Sequence, residues 1–497
     1  MALSLTLSLV SHTNVGKTTL ARTLLARDIG EVRDASHVTD LAEGHVLMKS
    51  HSGDLLQLWD TPGFGDSARL VRRMRLQGHP LGWLLSELWD RWRDRAFWSS
   101  QQALLHVRAR ADLVLYLVNA AEPDAGYLEP ELQLLQWLGK PVLVLLNQLG
   151  APREPAVEAA ELSVWRERMK LHGVVRDVLP LDAFARCWVQ EAALWHAVRR
   201  ALPREQAAAM QRLTLAWTKE REAVFDAAMH ALAQSLAHIA TTRQPLPGAA
   251  AMADRLRDGV RRVVNAVKSD VGGQASEHAN DPASRAAREL ALAAQQEVRT
   301  GTQRLLELHG QRGHAADPIL ERVARQVAVH AKLDESKAAL WGGVVSGALL
   351  GLKADIASGG LTLGGGLLAG GLLGALGAAG VARGVNVMRG AGRGWVGWKP
   401  EALTPMVHAA LLRYLAVAHF GRGRGDWQEG EAPPFWHGVV SEALAPHEAA
   451  LTSLWQQRGE SVGAAEEAPR LAAALTPLLA ASSRRAMQLL YPLAAPS

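Results

Sequence analysis

Four runs, LSLTLSLV, LLQLWD, DLVLYLVN and PVLVLLN, have strand length, are largely apolar and each end in a polar or turn residue. From Met1 to about Arg200 they alternate with amphipathic stretches of helical length. Strands that are apolar along their length need cover on both faces, and helical crossovers between them supply it in a mostly parallel sheet. The pattern therefore predicts an α/β domain whose ligand sits at the carboxyl ends of the strands. A chain of 497 residues is too long for one hydrophobic core, so further domains follow. With 48% apolar and 21% charged residues, the composition is that of a folded protein.

The first run leads into SHTNVGKTTL and the second into DTPG. After a strand and before a helix, Gly-Lys-Thr has the context of a phosphate-binding loop, where backbone N–H groups and the helix N-terminus wrap phosphates. Asn14, Val15, Gly16, Lys17, Thr18 and Thr19 are the cradle residues. Gly16 allows close backbone approach, Lys17 reaches the outer phosphates and the Thr18 hydroxyl binds Mg²⁺. Asp60 then holds the metal through water, and the Gly63 N–H meets the γ-phosphate. The segment between Lys17 and Asp60 has room for a helix, a switch loop and a strand; DASHVTD falls in that loop, and Thr39 is the candidate for the second Mg²⁺ hydroxyl. As a Thr in a polar loop it also reads as ordinary surface.

This order of motifs resembles the P-loop GTPases of the Era-like and septin-like branch over roughly residues 1 to 200. SHTNVGKT is similar to that branch's G-x-x-N-V-G-K-[ST], and DTPG to its third motif. The whole chain resembles a bacterial group in which such a GTPase precedes a long C-terminal domain of unknown function. The resemblance implies GTP and GDP as ligands, Mg²⁺ as cofactor, and in some members a K⁺ ion held by the loop Asn, here Asn14. Catalytic roles then fall on Lys17, Thr39 and Gly63, and metal binding on Thr18, Thr39 and Asp60.

The sequence departs from that pattern in three places. Ser11 stands where the first loop glycine belongs, a strained position if φ is positive there. Phe64 follows Gly63, where a Ras-type mechanism has a water-orienting Gln, so slow hydrolysis is expected. Asn147 begins an N-K-x-D base motif, but Gln148 replaces its Lys and Gly150 its Asp. An unmet pair of buried donors on guanine costs about 1–3 kcal/mol, which leaves guanine against adenine open. VLPLDAFAR resembles the last base-contacting loop, with Asp182 and Ala183 near the purine. Asp182 reads equally as a replacement carboxylate or a helix cap.

Other polar residues carry less. His12, His37, His45 and His51 lack metal-ligand spacing and read mostly as surface. Asp112 reads as structural. The single cysteine, Cys187, excludes an intrachain disulfide and a Cys-based zinc site. MALSLTLSLV has no preceding basic residue and reads as a strand, not a leader, which makes the cytoplasmic face of the inner membrane the expected location.

Residues 69 to 110 hold nine arginines against Glu87, Asp90 and Asp94, with Trp83, Trp89, Trp92 and Trp98 interleaved. Such an insert lies on anionic lipid, contacts nucleic acid, or packs on the domain with a solvated basic face. Beyond Pro203 strands are not expected. Apolar residues from Leu213 to Ile239 at spacings of three and four predict one long helix ended by TTRQPLPG, and helices are expected over 250–337, 400–420 and 434–494.

Between them, 338–389 is an apolar segment in which Ile356 to Ala382 runs 27 residues without a charge, ten of them glycine. Small residues recur every fourth position (Gly366, Gly370, Gly374, Ala378), which permits close helix packing. At 1.5 Å per residue that run spans about 40 Å, enough for a bilayer core. A membrane-inserted hairpin, a buried soluble hairpin and a homo-oligomer seam all fit. The expected protein is a membrane-associated GTP switch with a helical C-terminal region; a non-hydrolysing nucleotide scaffold and an RNA- or ribosome-associated assembly GTPase are the alternatives.

Overall fold

The computed structural model describes residues 2–25, 43–75, 95–149, 153–182, 187–246, 282–310, 385–390, 393–419, 435–458 and 464–492. The chain divides into two compact units, Met1–Ala223 with Ala418–Glu429 and Leu490–Ser497, and Val224–Val417 with Gly430–Leu489.

The first unit is built on a six-stranded sheet of β1 (Ser4–Ser11), β2 (Glu43–Lys49), β3 (Leu55–Asp60), β4 (Leu113–Asn119), β5 (Val142–Asn147) and β6 (Val175–Pro180). Its order is β2-β3-β1-β4-β5-β6, parallel throughout except for β2, which runs antiparallel to β3. The four runs singled out in the sequence are β1, β3, β4 and β5, all interior. The edges β2 and β6 carry more polar residues, as edge strands do, so their apolar pattern is weak.

Alternate residues of each strand face opposite layers. Leu7, Leu9, Leu58, Leu115 and Leu145 pack with α1 (Lys17–Leu25) and residues of the C-terminal helices of this unit. Val10, Val114, Tyr116, Val144 and Leu146 pack with α2 (Ser67–Arg75), α3 (Arg95–Arg110), α4 (Leu128–Leu138) and α5 (Pro155–Met169). Asp112 is structural as expected, accepting the Thr6 N–H at 2.7 Å and the Gln206 amide at 2.8 Å. The two ends of the Arg-rich insert are α2 and α3, which bury Leu70, Met74, Phe97 and Val107 while Arg69 and Arg73 lie 4.5 and 5.1 Å over the Phe97 ring. Packing on the domain thus accounts for both ends. Residues 76–94, with Trp83, Trp89 and Trp92, lie outside the described residues.

After α6 (Trp188–Ala201), α7 (Arg204–Thr241) is the long helix expected from its spacing, and Leu213, Trp217, Phe225, Met229, Leu232, Leu236 and Ile239 are buried along it. Its first half is tied to the sheet by Arg212, whose guanidinium meets both oxygens of buried Asp54 at 2.8 Å.

The second unit is largely helical, but the expectation that strands end at Pro203 fails. β7 (Arg243–Leu246), β8 (Val385–Gly390) and β9 (Arg393–Trp398) form an antiparallel sheet in the order β7-β9-β8. RQPL, read as a helix terminator, is a short edge strand that can carry Pro245. The β8–β9 hairpin is hidden in sequence by its glycines. The helices are α8 (Pro282–Leu308), α9 (Pro400–Ala418), α10 (Trp436–Leu444), α11 (Glu448–Gln456) and α12 (Ala464–Leu490). Residues 311–384, and with them most of the Gly-rich segment, lie outside the described residues. Among the described residues no helix is long and apolar enough to cross a membrane.

Candidate functional site

The loops that follow β1 and β3 leave the sheet side by side, because these strands are neighbours and parallel. Their carboxyl ends bring SHTNVGKT against DTPGF. Two backbone bonds join the loops: the Phe64 N–H donates to the Ser11 carbonyl at 2.9 Å and the Thr13 N–H to the Phe64 carbonyl at 3.2 Å.

Ser11 sits at the end of β1. Among the described residues, the only non-glycines with positive φ are Asn14 and Gln148, so the Ser11 substitution carries no left-handed strain. Its hydroxyl donates to the His12 carbonyl and accepts from the Lys17 ammonium at 3.1 Å. Asn14 takes φ 64°, a conformation Asn tolerates. Gly16 takes φ 94°, and a Cβ there would lie 2.8 Å from the Asn147 amide nitrogen, so both conformation and space call for glycine.

Lys17 is buried, which pushes its ammonium pKa down, while Asp60 and Glu131 push it up. A Cβ on Gly63 would come within 2.9 Å of the Lys17 Nζ, so the ammonium lies directly against the backbone of the second loop. The Thr18 hydroxyl donates to Asp60 Oδ2 at 2.5 Å. This hydroxyl and carboxylate are hard oxygen donors, a set that suits Mg²⁺ completed by phosphate and water. Among the described residues there is no group of three or more His, Cys, Asp or Glu side chains able to hold a metal. Thr39 lies outside the described residues. Phe64 is fully buried in the layer of α2 and α3 and offers no polar atom to the site.

At the other end of the site, Asn147 is fully buried at the tip of β5 and its amide donates to the Val15 carbonyl at 2.7 Å, so it buttresses the phosphate loop. Gln148 turns the chain with φ 57°. Asp182, 5% exposed, accepts the Leu149 N–H at 2.9 Å and so ties the β6 loop to the β5 loop. It does not cap α6, which starts from Cys187, whose N–H is bonded to Gln190 Oε1 at 3.0 Å in a capping box. Ala183 lies outside the described residues.

Two residues at the site escape the motif reading. His12, which its sequence context makes look like a surface residue, has a side chain only 28% exposed, with Nδ1 2.8 Å from Oε1 of Glu131, which is fully buried. Glu131 lies on the apolar stripe of α4, three residues from Leu128 and four from Leu135. A carboxylate in a stripe of leucines is the signal that marks it.

Residues 6–148 match the family model described as 50S ribosome-binding GTPase, and residues 167–473 match that of a domain of unknown function, DUF3482. The first unit is thus a P-loop GTPase-type domain with a C-terminal domain behind it. No curated protein matches the chain. Among solved structures, a variant of Era from Aquifex aeolicus bound to GDP and aluminium fluoride is 21% identical over 41% of this chain, with a TM-score of 0.31. Era in complex with MgGDPNP and a segment of 16S ribosomal RNA is 20% identical over 41%, with a TM-score of 0.31. The chain spans 58% of the length of each of these two. The NFeoB domain from S. thermophilus bound to mGMPPNP is 15% identical over 62% of this chain and 98% of that one, with a TM-score of 0.23.

Proposed function

The chain belongs to the family of the domain of unknown function DUF3482, carried here behind a GTPase-type domain, and we propose that it is a slow, Mg²⁺-dependent GTP hydrolase acting as a switch at the inner membrane. The observation that carries the nucleotide reading is the contact of Thr18 with Asp60 at 2.5 Å beside the buried Lys17, at the carboxyl edge where β1 and β3 are neighbours.

In this reading the amides around Gly16 wrap the phosphates and the Lys17 ammonium neutralises the outer ones. Burial pushes the Lys17 ammonium pKa down, Asp60 and Glu131 oppose that shift, and bound phosphates would oppose it further. Thr18 and Asp60, with Thr39 proposed from the switch loop, would hold Mg²⁺, which would supply charge neutralisation to the phosphates. The Gly63 N–H meets the γ-phosphate. Because Phe64 is buried and apolar, no side chain at that position orients the attacking water, and turnover is slow. Asn14 is exposed on the loop and available to a K⁺ ion that would raise the rate. Asn147 and Asp182 frame the base, with Asp182 taking the place of the missing carboxylate; Ala183 is proposed as a further base contact from the sequence.

Membrane attachment is proposed for residues 338–384 of the 338–389 segment, since 385–389 belong to β8, and is supported by sequence alone: 27 residues without a charge, studded with glycine. Flotation of the full chain with anionic vesicles tests it, and a chain that stays at the bottom of the gradient with and without nucleotide defeats it. Phosphate release from GTP under Mg²⁺, with K⁺ or with Na⁺ alone, tests the enzymatic reading. Slow release accelerated by K⁺ is expected; tight binding with no release over hours would instead make the domain a nucleotide-binding scaffold.

A further inference from the structure

Glu131 stands in the first turn of α4 with no solvent exposure, and both of its oxygens are engaged. Oε1 is 2.8 Å from His12 Nδ1, and Oε2 accepts the Tyr116 hydroxyl at 2.8 Å. Burial pushes the Glu131 carboxyl pKa up, and the bonds from His12 and Tyr116 with the charge of Lys17 oppose that shift. The His12 ring lies flat on Tyr127, with centroids 4.3 Å apart and planes 9° from parallel. His12 is thereby clamped on two sides by α4 and the turn before it.

The clamped residue is part of the phosphate loop. The His12 carbonyl accepts the Ser11 hydroxyl, and that hydroxyl accepts Lys17 Nζ at 3.1 Å. His12 also bridges in parallel to Phe64, directly after Gly63. One continuous set of bonds therefore runs from a carboxylate in the core through His12 and Ser11 to the lysine that meets the phosphates. A buried carboxylate is a net burden on stability unless fully bonded; here one bond ends on Tyr116 of β4 and the other on the loop whose placement decides phosphate affinity.

We propose that Glu131 and His12 are positioning residues of the nucleotide site: Glu131 fixes His12, and His12 holds the outer arm of the phosphate loop, Ser11 to Thr13, in register with Lys17 and Gly63. The inference rests on the reading of this loop as a triphosphate site. A pair that served only the core would lower stability when removed and leave the affinity of the folded protein unchanged. A pair that positions the loop lowers affinity at temperatures where the variant is fully folded.

The test uses the full chain with Mg²⁺ and a fluorescent GDP analogue, alongside thermal melting without nucleotide. His12→Ala and Glu131→Ala should each weaken binding about tenfold, a loss the size of one charge-assisted hydrogen bond. The double variant should be no weaker than either single, because both act through one contact. His12→Asn keeps an amide N–H near the position of Nδ1, toward Glu131, and should stay within about threefold of the wild type. Wild-type affinity in His12→Ala, or losses that multiply in the double variant, would overturn the proposal. Should Glu131→Ala fail to fold, the contrast between His12→Ala and His12→Asn decides alone: rescue by Asn supports positioning and equal affinities defeat it. A wild-type chain that binds no nucleotide defeats the functional reading and this inference together, whereas a wild type that binds and variants that match it defeat only the inference.

Discussion

The two ends of the site have diverged from the resembled GTPase pattern to very different effect. At the phosphate end, Ser11 replaces a glycine, yet the strand continues through it without positive φ and its hydroxyl becomes a partner of Lys17. At the base end, the loss of Lys and Asp from the N-K-x-D motif leaves Gln148 in a left-handed turn and Asp182 bonded to Leu149. Phosphate is recognised mainly by backbone N–H groups and one lysine, so side-chain changes around them are absorbed as long as the loop keeps its path. A purine edge is recognised by side chains, so each lost group must be replaced by another of matching chemistry.

That contrast can be broken first at Lys17. Lys17→Ala removes the side-chain cation buried against Gly63 and should cut the affinity for any nucleoside triphosphate about a hundredfold or more, read by titration calorimetry. An affinity within a few-fold of wild type would mean that phosphate does not bind here. Gly16→Ala comes next: with φ 94° and only 2.8 Å to the Asn147 amide, the added methyl strains the loop by about 1–3 kcal/mol. It should lower both the melting temperature and the affinity for GTP and ATP alike, because it spoils the phosphate end.

Asp182→Ala sharpens the other side. It should leave pyrophosphate binding near wild type while reducing preference for GTP over ATP by about tenfold, as expected for one buried acceptor lost to guanine donors. An equal loss for GTP, ATP and pyrophosphate would make Asp182 a loop tie only. The smallest effect is expected from Ser11→Gly, which restores the consensus residue at a position that does not need it. Nucleotide affinity should change by no more than about threefold, the size of a single exposed or redundant hydrogen bond.

Interior strands could be read from sequence because they are buried on both faces and apolar throughout, and the loops at their ends followed from that placement. β2 and β6 could not, since edge strands carry polar residues that dilute the signal. The three-stranded sheet of the second unit was missed for a different reason. Its strands come from places more than 130 residues apart, β7 at Arg243–Leu246 and the β8–β9 hairpin beyond Val385, and only their pairing across that distance stabilises them. At the site, Lys17, Thr18, Asp60 and Gly63 come together as their motifs require. His12 and Glu131 escaped because they lie 119 positions apart and no local spacing relates them. Asp182 does not cap α6, because Cys187 and Gln190 do so.

The most direct measurement is a competition titration of this purified 497-residue chain with Mg²⁺, GTP and ATP, repeated without metal and with Lys17→Ala. The account predicts binding that needs the metal, favours GTP and disappears with the lysine. Metal-independent binding, or a clear preference for ATP, would contradict it.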